Sequence, residues 1–272
     1  MNPSEKILIL TPVKDAEKHL PRYFELLETL SYPKTAISLG FLEGDSKDES
    51  LKYIQNQLPH FRKVFHKANV WKKDYHFHIP DGMFRWTSSI QLERRSILAK
   101  SRNYLLSKAL QDEDWVLWMD VDLIDYPINI IEQLLAVKKG IVHPNTVKEY
   151  GGKSYDQNAW SHKGKYLLHD LKKQGPLVKI HAVGGTMLLV KADIHREGLV
   201  FPSFLFGHRS ALIRDNNFLF EEKDLMQKFG LEGVLTRQFQ GEIETEGLGI
   251  MAYEMGYECW GLPHLEILHA NE

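Results

Sequence analysis

The sequence lacks several features that would mark other classes of protein. It has a single cysteine, Cys259, so an internal disulfide and a cysteine-cluster metal site are both excluded. The formal net charge is −2, which offers no basic field to phosphates and disfavours a nucleic-acid partner. Its thirteen histidines are scattered, and no H-E-x-x-H motif or other paired-ligand spacing links them.

The sequence also has no long apolar run and no signal-peptide pattern at its beginning. We therefore expect no transmembrane segment in this chain. As given, the chain is predicted to be cytoplasmic, with or without association with a membrane surface.

The residues that are present are typical of a soluble globular protein. Hydrophobic residues make up 43% and charged residues 26% of the 272 positions, which is ordinary for a soluble domain. Strand-like and helix-like segments alternate along the chain, and this alternation predicts right-handed βαβ units in an α/β fold with a mostly parallel sheet flanked by helices. No repeat or linker interrupts it. A single domain over 1–272 is predicted, with 203–243 as a mobile lid or an insertion.

Apolar periodicity and glycine or proline positions predict the elements. Strands are predicted at 6–11, 37–42, 64–66, 115–119, 140–143, 183–190, 257–260 and 265–269. Helices are predicted at 17–30, from about 45 to 58, and at 89–110, 127–138, 163–173 and 245–255.

The most informative stretch is the buried strand at 115–119, because it leads directly into two carboxylates, Asp120 and Asp122. Residues at i and i+2 of an extended chain point to the same side, so both acids can face one ion. Oxygen ligands suit Mg²⁺ or Mn²⁺, which keep open positions for substrate phosphates. The alternative is that the two aspartates merely end the strand and begin a turn.

Polar residues also follow the first two predicted strands, and ligands of open α/β sheets bind at the carboxyl ends of strands. The first strand leads into Thr11, Pro12 and Lys14, and the second leads into Glu43 and Asp45. These five residues are predicted to bind a nucleotide, with Thr11, Glu43 and Asp45 at the base and ribose hydroxyls. For Asp45 alone, capping of the following helix is the slightly favoured explanation.

Two arginines precede the D-V-D sequence on the predicted helix at 89–110. Arg95 and Arg102 are seven residues apart and therefore share a helix face that borders an apolar stripe. A buried guanidinium needs a partner, which could be a D-V-D acid or the diphosphate of a bound nucleotide. An internal salt bridge elsewhere explains the pair equally well.

Three further features in the second half of the chain have both a functional and a structural explanation. Gly184 and Gly185 suit the close approach of a sugar, or a bulge. Glu244 and Glu246 supply negative charge to a helix start, and one of them could be functional. His269, near the end of the chain, is more often structural than a ligand when taken alone.

Taken together, these segments resemble the fungal Golgi α-mannosyltransferases that build the mannan backbone, glycosyltransferase family 62, whose members have a GT-A fold. The resemblance covers nearly the whole chain and is strongest at residues 7–15, 30–33, 37–42, 94–110, 115–122, 155–160, 183–186, 244–247, 258–263 and 269–272.

The resemblance implies that Asp120 and Asp122 hold Mn²⁺ and the pyrophosphate of GDP-mannose. His269 matches a late family histidine and would be a further metal ligand. Asp156 matches an acid near the donor sugar and becomes a catalytic candidate. By the resemblance, family members have an N-terminal membrane anchor and stem, which we do not expect in this chain, and work in hetero-oligomeric Golgi complexes. A homo- or hetero-oligomer is therefore expected, located in the Golgi lumen if the chain is part of a longer protein.

The function predicted from these residues is metal-dependent transfer of a sugar from a nucleotide sugar to a glycan hydroxyl, by a hexosyltransferase that retains the α configuration. Besides Asp120 at the metal, Asp156 or Glu246 is predicted to stabilise the oxocarbenium-like transition state or to orient the acceptor. Three alternatives remain. They are an inverting transferase with Glu244 or Glu246 as base, a catalytically silent sugar-nucleotide-binding subunit, and a nucleotidyltransferase.

Overall fold

A computed structural model of the chain describes residues 5–80, 82–83, 87–162, 164–214 and 241–271. Its strands are β1 Ile7–Val13, β2 Ile37–Glu43, β3 Lys67–Lys72, β4 Trp115–Met119, β5 Leu123–Asp125, β6 Ile141–Val147, β7 Trp160–Ser161, β8 Tyr166–Leu167, β9 Val178–Ile180, β10 Met187–Lys191 and β11 Cys259–His269. Its α-helices are α1 Leu20–Thr29, α2 Ser50–Val64, α3 Ser88–Ala109, α4 Ile130–Ala136, α5 Ala192–Arg196, α6 Ala211–Arg214 and α7 Glu244–Glu254, and two 3-10 helices lie at Lys34–Ala36 and Asp170–Gln174.

Within the described residues, nine strands form one sheet in the order β3-β2-β1-β4-β10-β6-β11-β5, with β9 paired to β11. The pairs β3/β2, β2/β1, β1/β4 and β6/β11 are parallel, whereas β10 is antiparallel to both β4 and β6. Six strands therefore run in one direction. The predicted α/β class with a mostly parallel sheet is confirmed.

Side chains alternate between the two faces of the sheet, and a layer of helices buries each face. On β1, Ile7 and Ile9 pack with the core beneath α1, α2 and α4, and Leu8 and Leu10 pack with the core beneath α3, α5 and α7. Trp118 on β4 is fully buried on the second side. Both faces of the sheet are therefore covered, and the edge where the parallel strands end is left for polar residues.

The third strand begins later than predicted, at Lys67, because α2 continues through Pro59 to Val64. Ile54, Leu58 and Phe61 are buried at helical spacing, and the Phe61 ring packs edge-on against that of Phe24 with centroids 4.9 Å apart. This packing holds the helix beyond the predicted end at residue 58.

Other boundaries in the second half also differ from the prediction. The helix predicted at 163–173 is a short 3-10 helix at Asp170–Gln174, and the strand predicted from residue 183 begins at Met187. The strands predicted at 257–260 and 265–269 are one strand, β11, with an irregularity between Leu262 and Glu266.

Residues 215–240, most of the segment predicted as a lid or insertion, lie outside the described residues. At its two ends, Phe206 and Glu242 form an isolated antiparallel bridge. None of the helices described here combines the length and the apolar character that crossing a membrane requires.

Candidate active site

A cleft of about 550 Å³ opens at the carboxyl edge of β1, β2 and β4. One end contains Asp120, Asp122 and His269, and the other end contains Asp45, Tyr75 and Phe77. Ligands of open α/β folds bind at this edge of the sheet. The remaining lining comes from the β1 end, α3 and the chain end, and includes Pro12, Lys14, Lys18, His19, Arg94, Leu98, Ser101, Arg102 and Asn271.

Asp122 and His269 contact each other at one end of the cleft. The His269 Nε2 atom lies 3.0 Å from Asp122 Oδ2, and its Nδ1 lies 2.8 Å from the Ala270 carbonyl oxygen. Burial would lower the pKa of His269, but the hydrogen bond and charge of Asp122 raise it above its usual value. Burial would raise the pKa of Asp122, but His269 lowers it. The aromatic ring of Tyr155 packs on the imidazole with ring centroids 4.1 Å apart.

Asp120 lies beside Asp122 and is paired with a buried arginine. Arg102 Nη2 lies 3.1 Å from Asp120 Oδ1, and the Asp120 N–H donates to the Thr186 carbonyl at 2.9 Å. Burial raises the pKa of Asp120 to about 6. The charge of Arg102 opposes this shift, and the charge of the neighbouring Asp122 adds to it. A positive charge nearby therefore stabilises the ionised form of this carboxyl group.

The donor set at this end fits a hard divalent cation. Asp122 Oδ1 is buried without a hydrogen-bond partner, so it is free to bind an ion. In the described part of the chain, no three acidic, histidine or cysteine side chains are placed as a complete metal site. Mg²⁺ and similar ions commonly take one or two carboxylates and complete their coordination with substrate phosphates and water. The residues present therefore fit an ion that binds together with a nucleotide.

At the opposite end, the predicted nucleotide-binding acid Asp45 is already bonded within the protein. The Asp45 carboxylate accepts the backbone N–H groups of Tyr75, His76 and Phe77, at 2.9 to 3.3 Å. These bonds outweigh burial and lower the pKa of Asp45. Asp45 thus shapes the wall of the cleft by holding the 75–77 segment, and no helix-capping bond from its side chain is seen.

The other residues predicted at this end divide into two groups. Pro12 and Lys14 line the cleft, and Lys14 Nζ donates to the Phe77 carbonyl at 2.6 Å. Thr11 and Glu43 are buried outside the lining. The Thr11 hydroxyl pairs with that of Tyr23, and Glu43 Oε1 accepts the Ser46 N–H at 3.0 Å.

The two predicted arginines of α3 form a buried ion-pair network with the start of α7. Arg102 Nε donates to Glu244 Oε1 at 3.1 Å, and Arg95 Nη2 lies 2.5 Å from Glu246 Oε2. Trp160 Nε1 donates to the other Glu246 oxygen at 2.6 Å. Arg102 therefore joins a D-V-D acid to α7, whereas Arg95 pairs with α7 alone.

Asp156 is buried next to Gly184, the first of the two predicted glycines. Its Oδ1 accepts the Asn158 N–H at 3.1 Å, and its Oδ2 accepts the N–H and hydroxyl of Thr186 at 3.3 and 3.0 Å. Burial would raise the pKa of Asp156, but the nearby His143 and these hydrogen bonds lower it to about 2.

Gly184 and Gly185 have no room for a side chain. A Cβ atom on Gly184 would lie 1.9 Å from Asp156 Oδ2, and one on Gly185 would lie 2.4 Å from Arg102 Nη2. The structural reason for both glycines is thus the close approach of two charged side chains.

Several residues of the site were not predicted from the sequence. His19, Ser101, Tyr75 and Phe77 line the cleft, and the buried His143 lies 3.6 Å from Asp156. Only the aromatic, polar composition of 69–90 offered a signal, and that signal does not say which side chains face inward.

The sequence profile of the Anp1 family matches residues 1–174 and 165–205. The chain belongs to the Anp1 family. Its relatives include the mannan polymerase complex subunit MNN9 of Candida albicans, which is 29% identical over the whole chain and 76% of that protein. The mannan polymerase II complex ANP1 subunit of Saccharomyces cerevisiae is 27% identical over 98% of the chain and 55% of that protein. The chain thus spans about half to three quarters of the length of these relatives, and the predicted family is confirmed.

Solved structures of glycosyltransferases share the fold. The mannosyltransferase PcManGT from Pyrobaculum calidifontis, solved with GDP-Man and Mn²⁺, superposes with a TM-score of 0.57 over 99% of this chain and 58% of that protein, at 12% identity. GalNAc-T7 with UDP, GalNAc and Mn²⁺ gives 0.57 over 100% of this chain and 45% of that protein, also at 12% identity. The GT-A fold is therefore confirmed, and the predicted enzyme class, a hexosyltransferase, is supported by both family and fold.

Proposed function

We propose that the chain transfers mannose from GDP-mannose to a glycan hydroxyl, with a divalent metal ion and with retention of the α configuration. The observation that carries the proposal is the position of Asp120, Asp122 and His269 together at one end of a cleft on the carboxyl edge of the sheet. The cleft is large enough for a nucleotide, whose base would lie toward Tyr75 and Phe77.

Asp120, Asp122 and His269 would hold Mn²⁺ or Mg²⁺. When bound, the ion supplies Lewis-acid stabilisation of the departing diphosphate. Arg102 adds a fixed positive charge next to Asp120 from a buried position, where electrostatic stabilisation needs little reorganisation. Arg94 and Lys18 line the same cleft and add positive charge to the path of the phosphates.

The choice of GDP-mannose as the donor is supported by the names of the relatives and by one structure of the same fold. Two relatives are named as mannan polymerase subunits, and one structure of the same fold was solved with GDP-Man and Mn²⁺. A panel of nucleotide sugars tests this choice by thermal shift, with and without Mn²⁺. GDP-mannose with Mn²⁺ should raise Tm most, because a ligand that binds only the native state stabilises it. A larger shift with a UDP-sugar would overturn the donor assignment.

Retention is favoured over inversion by the state of the α7 acids. An inverting transferase needs a carboxylate that can contact the acceptor hydroxyl as general base. The two Glu246 oxygens already accept bonds from Arg95 and Trp160, and the two Glu244 oxygens accept bonds from Arg102 and Thr245. Asp156 and Glu246 also lie outside the cleft lining, so neither is proposed to attack the sugar. Proton NMR of the product anomer tests retention directly, and a β-linked product would contradict it.

We predict that Asp122→Ala abolishes metal-dependent transfer while the protein remains folded. The substitution removes the carboxylate with the unpaired buried oxygen and leaves a small, partly solvated gap at the edge of the sheet. Transfer should be measured with Mn²⁺ and donor, and folding by circular dichroism and Tm.

Asp112→Ala is the matched control, because Asp112 is an exposed acid paired with Lys6 away from the cleft. It should keep wild-type activity. Full metal-dependent activity in Asp122→Ala would refute the metal assignment, and wild-type protein that binds GDP with Mn²⁺ but never transfers sugar would favour a silent binding subunit.

We further propose that the chain works in a hetero-oligomer in the Golgi, since the named relatives are subunits of mannan polymerase complexes. Co-purification of the protein with a second Anp1-family chain would support this assembly. A protein that is fully active and monomeric by light scattering would overturn it.

A further inference from the structure

We infer that Asp156 is a positioning residue that holds segment 184–186 and, through Thr186, the backbone of Asp120. The inference rests on the proposed function, because it assigns a role toward the same metal site. It differs from the catalytic role predicted for Asp156 from the sequence, in which the carboxylate would act on the sugar.

The first step is the chain of hydrogen bonds that leads from Asp156 to the metal end. Asp156 Oδ2 accepts both the N–H and the hydroxyl of Thr186, and the Thr186 carbonyl accepts the Asp120 N–H at 2.9 Å. The Thr186 hydroxyl also lies 2.5 Å from that of Thr146 on β6. Every polar group of Thr186 is therefore engaged, and one of its bonds ends on the backbone of a proposed metal ligand.

The second step is the close fit around the two glycines. Asp156 approaches Gly184 and Arg102 approaches Gly185 so closely that a Cβ atom at either position would overlap a charged group. Arg102 Nη2 also lies 3.5 Å from the Gly185 carbonyl and 3.1 Å from Asp120 Oδ1. A buried anion and a buried cation thus contact adjacent residues of one segment, and both contacts continue to Asp120.

The third step is what Asp156 does not contact. It is 8% exposed, it lies outside the residues that line the cleft, and both of its oxygens accept hydrogen bonds. These features suit a group that orders the backbone. They do not suit a group that contacts a sugar.

The first test uses the metal-free protein. Asp156→Asn keeps the shape of the side chain but leaves one of the backbone donors, on Asn158 or Thr186, without an acceptor. We expect hydrogen exchange at the Asp120 amide to become at least about tenfold faster, as expected for the loss of a hydrogen bond to a charged group. Amides of the β1–β2 ladder should exchange as in the wild type.

The second test is Mn²⁺ affinity in the presence of GDP, measured by calorimetry. Loss of a group that orients a metal ligand typically reduces affinity by about 10- to 100-fold, and we expect a loss in this range for Asp156→Asn. Leu58→Ala on α2 is the control for simple destabilisation, because Leu58 is buried in the core beneath α1, α2 and α4. It should lower Tm and leave Mn²⁺ affinity unchanged.

Further variants keep the inference testable if Asp156→Asn does not fold. Thr186→Val removes only the hydroxyl and should reduce Mn²⁺ affinity in the same direction, and Thr186→Ser should restore it. An Asp156→Asn protein with wild-type Asp120 exchange and wild-type Mn²⁺ affinity, but with reduced kcat, would overturn the inference in favour of direct catalysis. If the wild type itself binds no GDP with Mn²⁺, the proposed function fails, and the exchange experiment still decides the backbone role.

Discussion

Trp118 supports the site by packing against the buried Arg102. It belongs to β4, just before Asp120, and its ring lies 5.7 Å from the guanidinium carbon of Arg102. Its indole N–H donates to His195 Nε2 at 3.3 Å, and His195 Nδ1 lies 2.7 Å from the Leu199 carbonyl oxygen. This pattern requires a neutral imidazole with its proton on Nδ1, because Nε2 must accept. Burial favours the same state and lowers the pKa of His195 to about 4.

We predict from His195 that the protein loses stability as the pH falls from about 6.5 to about 4. The unfolded chain binds the proton near pH 6.5 and the native state binds it only near 4, so protonation favours unfolding within this window. The full loss from this group is about 3 kcal/mol. Burial also lowers the pKa of His181 to about 4, so His181 contributes in the same direction.

Urea unfolding at several pH values measures this slope. His195→Gln should make the decline between pH 6.5 and 4 shallower than in the wild type. His60→Gln, at an exposed position beside Glu28, is the control and should leave the decline as it is. An unchanged slope in His195→Gln would contradict the prediction.

Among the helices, the prediction for α3 agrees closely with the structure. The predicted range is 89–110 and the helix runs Ser88–Ala109, because no glycine or proline interrupts this segment and the strand that follows it is unambiguous. The seven-residue spacing of Arg95 and Arg102 also placed both on one face, as their contacts with α7 show. Their partners on α7 could not be predicted, since Glu244 and Glu246 lie more than a hundred positions away and no local rule connects them.

Strand boundaries were predictable only where an apolar run was uninterrupted. Pro263 divides the apolar residues of β11 into two short runs, and the prediction therefore gave two strands. In the structure the strand passes through an irregularity near this proline and continues to pair with β6 on both sides. Tertiary pairing here overrides a local signal.

We predict a strong energetic coupling between α3 and α7 through Arg95 and Glu246. The Arg95 and Glu246 side chains are 18% and 13% exposed, so removal of one partner leaves a buried charge. Arg95→Met and Glu246→Gln should each reduce the free energy of unfolding by about 3 kcal/mol. The double variant should lose less than the sum by about 1 to 3 kcal/mol.

Lys179 and Glu258 form the control pair for this double-mutant cycle, because both side chains are more than half exposed. Their coupling should be about 0 to 1 kcal/mol. A coupling between Arg95 and Glu246 no larger than that of the control pair would show that the buried network does not join the two helices.

On the scale of the whole molecule, the sequence predicted the class of fold and the edge of the sheet where the cleft lies. It did so because the parallel strands β1, β2 and β4 all end at one edge, so residues that follow them must be neighbours. It could not predict which polar residues stay free. Thr11 lies near the end of β1, Glu43 ends β2 and Asp45 follows it. The Thr11 hydroxyl and the Asp45 carboxylate are nevertheless bonded to Tyr23 and the 75–77 segment, which only the folded chain brings near.

The metal and nucleotide ends of the cleft should be coupled in binding. Asp122 and His269 pair with each other, and among the described residues no three acidic, histidine or cysteine side chains are placed as a complete metal site. We therefore predict that Mn²⁺ alone binds weakly and that GDP strengthens its binding, because the diphosphate supplies the missing oxygens. Linkage requires Mn²⁺ to strengthen GDP binding by the same factor, about 5- to 150-fold for typical coupling free energies.

Calorimetry in both orders measures the two factors, with Mn²⁺ titrated with and without saturating GDP and GDP titrated with and without saturating Mn²⁺. Guanosine is the control ligand, since it fills the base end and has no phosphates to coordinate an ion. It should leave Mn²⁺ affinity unchanged. If guanosine strengthened Mn²⁺ binding as much as GDP does, the coupling would have to pass through the protein, and a shared coordination of the ion by Asp122, His269 and the diphosphate would be wrong.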